Sequence, residues 1–181
     1  MPSAPVVLLN ARAVARTISR MADEIIERND GVDRLMLVGI QRRGVQIAER
    51  LAQVIKEREG AEVPLGALDI TLYRDDLQTV GPRPVVGQTH LPKALEGQVV
   101  VIVDDVLFTG RTIRAALDEL ADFGRPARIM LAVLVDRGGR ELPIHADVVG
   151  HTVTVQRGGR VDVFVPQLDE RDEVTMVGGG T

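Results

Sequence analysis

Apolar residues along the chain follow two rhythms. Val14, Ile18, Met21 and Ile25 recur at three- and four-residue steps, which predicts a helix over about 11–28 with Asn10 as its N-cap. Ile47, Ala48, Leu51 and Ile55 repeat that spacing and predict a helix over about 45–58, closed by Gly60. Ile113, Ala116, Leu117 and Leu120 predict a third that ends near Gly124, with Pro126 beyond. Between the helices lie short unbroken apolar runs: LMLVGI (35–40), ALDITLY (67–73), VVVIVDD (99–105) and IMLAVLV (129–135). Such runs predict strands buried on both faces. From residue 136 onward only shorter strand-like pieces occur, ADVVG (146–150) and RVDVFV (160–165), on either side of the turn QRGG. Alternation of helices with continuous apolar strands predicts an α/β protein with a parallel sheet. Residues 74–90 fit neither rhythm and are punctuated by Gly and Pro, which predicts a long excursion, a lid or a binding loop.

In parallel sheets ligands bind beyond the carboxyl ends of the strands. Three expected strand ends carry unusual residues: GIQRRG (39–44), DDVLFTGRT (104–112) and DRGGRELPI (136–144). They are expected to converge on one crevice. In the middle one, two adjacent carboxylates, Asp104 and Asp105, end the strand, and Thr109, Gly110, Arg111 and Thr112 open a helix. A helix start offers unpaired amides and partial positive charge, which suits a phosphate. The Gly-Lys-Ser/Thr ending of a Walker loop is absent, and so is the three-glycine dinucleotide fingerprint. A sugar phosphate fits better: the loop holds the anion, and a carboxylate one ribose away accepts from vicinal hydroxyls.

Composition narrows the classes. The 181 residues suit one domain, and a net charge of −4 argues against a nucleic-acid binder that is basic throughout. Lys56 and Lys93 are the only lysines, so the positive charge is nearly all Arg, suited to two-pronged contacts with phosphate or carboxylate. There is no cysteine for disulfides or thiolate metal sites. The N-terminus has no signal-peptide pattern and no run is long enough to cross a bilayer, so a cytoplasmic location without membrane contact is expected. Aromatics are only 2%, which excludes a stacking platform for RNA bases. Arg12, Arg16 and Arg20 make a basic stripe on the first helix, continued by Glu24.

The stretch VVIVDDVLFTGRT (100–112) resembles the phosphoribosyl diphosphate (PRPP) signature of the type I phosphoribosyltransferases. ERNDG (27–31), LVGIQRRG (37–44), DITLYRDD (69–76), GRPARIMLAVLVDRGGRELPI (124–144) and VPQLDE (165–170) extend the resemblance over nearly the whole chain. Within that family they are similar to the PyrR group, bifunctional pyrimidine-operon regulators and uracil phosphoribosyltransferases.

The resemblance implies the type I phosphoribosyltransferase fold: a mainly parallel twisted sheet flanked by helices, a flexible lid over about 74–90 and a small hood from the C-terminal segment, all in one domain spanning 1–181. It implies transfer of ribose 5-phosphate from PRPP to uracil, giving UMP and diphosphate, with Mg2+ as cofactor. Asp104 and Asp105 are then catalytic, contacting the ribose hydroxyls and organising the metal directly or indirectly, and Arg43 is catalytic in the diphosphate loop with Arg42 beside it. The segment Val103, Asp104, Asp105, Val106, Leu107, Phe108, Thr109, Gly110, Arg111 and Thr112 is expected to bind PRPP or UMP. Tyr73, Arg74 and Asp75 stand at the lid hinge. Arg137 and the backbone around Val161 are expected at the uracil. Phe108 stands where the hypoxanthine-guanine branch carries an acidic residue, which speaks against a purine.

The resemblance further implies binding to pyrimidine-gene mRNA leaders, with UMP or UTP as effectors, and a homo-oligomer, dimer or larger. Arg12, Arg16, Arg20, Arg140 and His145 are the candidate RNA contacts, with His151, Arg157 and Arg160 also in basic patches. An enzyme without RNA regulation, and an RNA regulator with vestigial catalysis, stay open as alternatives.

Overall fold

The computed structural model describes residues 3–75 and 88–178. Residues 76–87 of the expected lid lie outside the described residues. In chain order the elements are β1 (Val6–Leu9), α1 (Ala11–Asn29), β2 (Leu35–Ile40), α2 (Arg43–Glu59), β3 (Leu65–Leu68), a 3-10 turn (Thr71–Tyr73), β4 (Val99–Leu107), α3 (Arg111–Phe123), β5 (Arg128–Asp136), β6 (Val148–Thr152), β7 (Arg160–Phe164), α4 (Pro166–Asp169) and β8 (Glu173–Val177).

Five parallel strands form the main sheet in the order β3-β2-β4-β5-β6. Every residue of β2 is buried, and its side chains alternate between two cores. Leu35 and Leu37 join the inward stripes of α1 and α2, Ile18, Met21, Ile25, Ile47, Leu51 and Ile55. Met36 and Val38 join Ile113, Ala116 and Leu120 of α3 on the opposite face. Burial on both faces is why these runs are continuously apolar. α1 starts as its sequence predicts: the Ala13 amide donates to the Asn10 side chain at 2.9 Å. No helix among the described residues is long and apolar enough to cross a membrane.

The expected strand 67–73 is corrected. The strand is 65–68, and the chain then turns: Asp69 Oδ1 accepts from the Thr71 amide at 2.9 Å and from its hydroxyl at 2.5 Å. An Asp bonding two residues ahead forms a local turn that competes with the ladder.

The hood is a second, antiparallel sheet in the order β1-β8-β7, with α4 between β7 and β8. It draws on the N-terminal strand β1 as well as the C-terminal segment. β1 is only four residues long and exposes Val6 and Val7, so its pattern is too short to stand out.

Candidate active site

β2 lies beside β4 in the sheet, but their connections part. β2 leads through α2 to β3 on one side, and β4 leads through α3 to β5 on the other. The chain therefore opens a crevice between the carboxyl ends of β2 and β4, the switch point at which open α/β sheets bind ligands. A cavity of about 590 Å³ occupies that place. It is lined by Gln41, Arg42 and Arg43 after β2, by Asp69, Thr71, Arg74 and Asp75 after β3, and by Asp104, Asp105, Val106, Thr109, Arg111 and Thr112.

Regular strand alternation would send Asp104 and Asp105 to opposite faces. The alternation inverts here: Val103 and Val106 both pack toward α1 and α2, and Leu107 toward α3. Across this inversion the Asp105 amide donates to Asp104 Oδ1 at 2.9 Å, and the Val106 amide to Asp105 Oδ1 at 2.8 Å. Both carboxylates reach one cavity in consequence. Asp104 is buried, and its pKa is pushed well above the usual carboxylate range, first by burial and then by the neighbouring Asp105 charge. A hydroxyl donor or a cation arriving beside it would favour the ionised form.

Gly110 caps α3 with φ +93°, and no side chain bonds to the first-turn amides in the manner of a cap. The Arg111 amide donates to Thr109 Oγ1 at 3.2 Å. The first turn of a helix has no acceptors of its own for its amides, so an anion can take them. Arg111 is held by Glu141 at 2.8 Å and by Asp75 at 2.6 Å. Both contacts raise its pKa, with Glu141 the larger cause.

α2 packs against the same strand end. A Cβ on Gly44 would stand 2.5 Å from the Val103 carbonyl oxygen, so this glycine sets how closely the start of α2 approaches Asp104. Arg43, the first residue of α2, pairs with Asp169 of α4 at 2.6 Å. That hydrogen bond raises the Arg43 pKa and lowers that of Asp169.

The structure brings together most, not all, of the sequence-expected site. Val103 and Leu107 are buried in the cores, and neither they, Phe108 nor Gly110 lines the cavity. Arg74 and Asp75 line it, whereas Tyr73 instead donates its hydroxyl to Asp122 at 2.6 Å. The third expected strand end, 136–144, lies alongside rather than in the cavity wall. The Arg137 amide donates to the Leu107 carbonyl at 3.1 Å and the Glu141 amide to the Thr109 carbonyl at 2.9 Å. The Arg137 guanidinium lies over the Phe108 ring, and its Nε is buried with no partner among the described residues. Val161 is a core residue of β7, an edge strand of the hood sheet.

Arg140 is not a free surface cation. It donates to Asp136 at 2.6 Å, to the Ile144 carbonyl at 2.6 Å and to the Phe108 carbonyl at 2.8 Å, which ties the 136–144 loop to the end of β4. Arg20 likewise donates to the carbonyls of Val149 and Gly150 of β6. Arg12, Arg16 and His145 are exposed. Sequence reasoning missed Gln41, Asp69, Thr71 and Asp169 as site residues. The Asp-Ile-Thr spacing at 69–71 was a legible turn signal, whereas no local pattern marks Asp169, whose partner is 126 residues away.

Comparison with known proteins agrees with this geometry. Residues 7–167 match the model of the phosphoribosyl transferase domain family. Similar relatives include the bifunctional protein PyrR of Herpetosiphon aurantiacus, 55% identical over 96% of this chain and 97% of its own length. That of Thermus aquaticus is 56% identical over 93% of each chain. Among solved structures, a hypoxanthine phosphoribosyltransferase of Trypanosoma cruzi superposes with a TM-score of 0.72 at 17% identity, over 96% of this chain and 97% of its own, a likeness of fold alone. The chain belongs to the phosphoribosyl transferase domain family and, at this identity over nearly its full length, to its bifunctional PyrR members.

Proposed function

We infer that this chain transfers ribose 5-phosphate from PRPP to uracil and also regulates pyrimidine genes by binding their mRNA. One observation carries the enzymatic half: Asp104, Asp105, Thr109 and Thr112 line the same cavity as Arg42 and Arg43. That arrangement puts an anion-binding helix start, two ribose-directed carboxylates and two arginines within reach of one sugar phosphate.

In the reaction the bond from ribose C1 to the diphosphate oxygen breaks and its electron pair leaves with diphosphate. N1 of uracil bonds to C1 and gives up its proton to the departing diphosphate. Positive charge develops on the sugar ring, as in other glycosyl transfers. The amides and hydroxyls of Thr109–Thr112 hold the 5-phosphate. Asp104 and Asp105 fix the ribose hydroxyls and stabilise the ring charge, a role of position and electrostatics rather than attack. Arg42 and Arg43 receive the leaving diphosphate. On this reading the lid begins after Tyr73 with Arg74 and Asp75, which line the cavity, and its closing would exclude water from the sugar cation; residues 76–87 of it lie outside the described residues.

The donor set suits magnesium carried in with the substrate. No cluster of three or more His, Asp or Glu that would cage a metal occurs among the described residues. Magnesium is commonly held by one or two carboxylates plus substrate phosphates, and Asp104 and Asp105 supply the carboxylates. When bound, the ion would neutralise charge on the diphosphate.

Uracil is assigned to Arg137, whose guanidinium lies over the Phe108 ring, and to main-chain groups of the edge strand β7 around Val161. UMP or UTP in the PRPP pocket would bias the RNA-binding surface, as linkage requires of an effector. Oligomerisation and a cytoplasmic location belong to the same family reading.

The test is turnover of labelled uracil by pure protein with PRPP and Mg2+. UMP should form, and Asp104→Asn and Asp105→Asn should each abolish most of it; no UMP from the unaltered chain rejects the enzymatic reading. Filter binding of a pyrimidine leader RNA, tightened by UMP, tests the regulatory half.

A further inference from the structure

Two arginine–aspartate pairs join α2 to the hood. Arg43 donates from Nη2 to Asp169 Oδ1 at 2.6 Å and from Nε to Asp169 Oδ2 at 3.3 Å. Two turns further along, Arg50 donates to the two Asp172 oxygens at 2.9 and 3.1 Å. Residues seven apart return to the same helix face, so both pairs point the same way. Only the first reaches the cavity: Arg43 lines it, and Arg50, Asp169 and Asp172 do not. Arg50 is the more enclosed arginine, with a side-chain exposure of 23% against 36% for Arg43, and its pair joins the same two elements without reaching the cavity.

Asp169 is itself fixed, since its Oδ2 accepts from the Val165 amide at 2.8 Å as α4 begins. A guanidinium has two edges fit for a two-pronged contact, the side edge Nε/Nη and the end edge Nη/Nη. Asp169 takes the side edge. Nη1 has no partner among the described residues. Asp105, which lines the same cavity, adds to the field that keeps Arg43 charged.

Building on the assignment of Arg43 to the leaving diphosphate, we propose that Asp169 is a positioning residue for the transfer: it clasps the side edge of Arg43 and so presents the end edge to the diphosphate. The hood thereby sets the aim of a group in the diphosphate loop, although Asp169 touches no substrate. A long side chain ordered in advance leaves less entropy to lose when the transition state forms.

The test compares full-length Asp169→Asn, Asp169→Glu and Asp172→Asn in UMP formation, diphosphate inhibition and thermal melting. Asp169→Asn should lower kcat by about tenfold to a hundredfold. It should also weaken product inhibition by diphosphate and leave the KM for uracil unchanged, with Asp169→Glu recovering part of the loss. Asp172→Asn should lower the melting temperature without that kinetic split. Should Asp169→Asn fail to fold, Asp169→Glu carries the test through the same split. An active wild type with Asp169 variants that differ from Asp172→Asn in nothing but degree overturns this inference alone, and so does tighter inhibition by diphosphate, which would make Asp169 its competitor. A wild type that forms no UMP overturns the functional reading together with it.

Discussion

The guanidinium carbon of Arg137 lies 3.8 Å from the centre of the Phe108 ring. A Cβ on Gly139 would stand 2.5 Å from that ring, and Gly139 has φ +80°, so glycine is required there on two counts. The loop after β5 thus folds over the end of β4 and stacks a cation on an aromatic face. Burial holds the Arg137 pKa below its usual value, and its Nε is buried without a partner among the described residues. Such a donor costs about 1–3 kcal/mol until something accepts from it.

Arg137→Ala should therefore raise the KM for uracil by roughly tenfold to a hundredfold, the equivalent of one charge-assisted hydrogen bond. The KM for PRPP should stay near its wild-type value, because Arg137 does not line the cavity that holds Asp104, Asp105, Thr109 and Thr112. Initial rates with each substrate varied in turn check the split. Equal loss on both substrates would remove Arg137 from the base site.

Gly44→Ala forces a Cβ to within 2.5 Å of the Val103 carbonyl oxygen, a backbone atom that cannot swing aside. The start of α2 must shift away from β4, and overpacking of this kind costs about 1–3 kcal/mol. The variant should melt lower and bind PRPP more weakly, since Arg42 and Arg43 move with the helix. Thermal unfolding and PRPP titration check the two effects; a variant that melts lower but binds PRPP normally would uncouple α2 from the site.

How far the sequence carries the reading can be judged from these residues. Strands β2, β4 and β5 were legible because burial on both faces makes their runs continuously apolar, and α1, α2 and α3 because burial on one stripe leaves a period, whereas β3 lies at 65–68 instead of 67–73 because it is only half-buried and Asp69 turns the chain. The double aspartate and Thr-Gly-Arg-Thr were legible because their chemistry is local. Convergence of 39–44 with 104–112 followed from their place beyond the carboxyl ends of parallel strands, but 136–144 lies beside the cavity and the 69–75 segment takes its place in the wall. Asp169 escaped because its role rests on Arg43, 126 positions earlier. Arg140 and Arg20 read as free cations because a sequence shows the charge of a side chain but not the carbonyls around it.

Glu119 of α3 is buried, with Oε1 accepting from the Thr89 hydroxyl and Oε2 without a partner among the described residues. Burial pushes its pKa above the ordinary 4.5, the Thr89 hydrogen bond opposes that, and the Asp69 and Asp122 charges add to the rise. Between 4.5 and the higher folded value, the folded protein binds more protons than the unfolded chain. Stability must fall as pH rises through that window. Glu119→Gln removes the titration, so its melting temperature should decline less than that of the wild type from pH 4.5 to pH 8. Parallel melting curves for the two proteins across that range would mean that Glu119 does not titrate there.

Arg12 and Arg16 stand one turn apart on the exposed face of α1, whereas Arg20, next in the stripe, is spent on the carbonyls of Val149 and Gly150. Only the first two are free to meet phosphates. Arg12→Glu with Arg16→Glu should weaken binding of a pyrimidine leader hairpin and reduce the salt dependence of log Kd by about one for each phosphate that the variant no longer neutralises. UMP formation should be unaffected, because neither residue lines the cavity. Arg20→Ala should instead loosen α1 from β6, and its main signature should be a lower melting temperature. Filter binding over a salt series, beside a uracil assay on the same preparations, separates the two effects. Undiminished RNA affinity in the double variant would move the RNA surface away from α1.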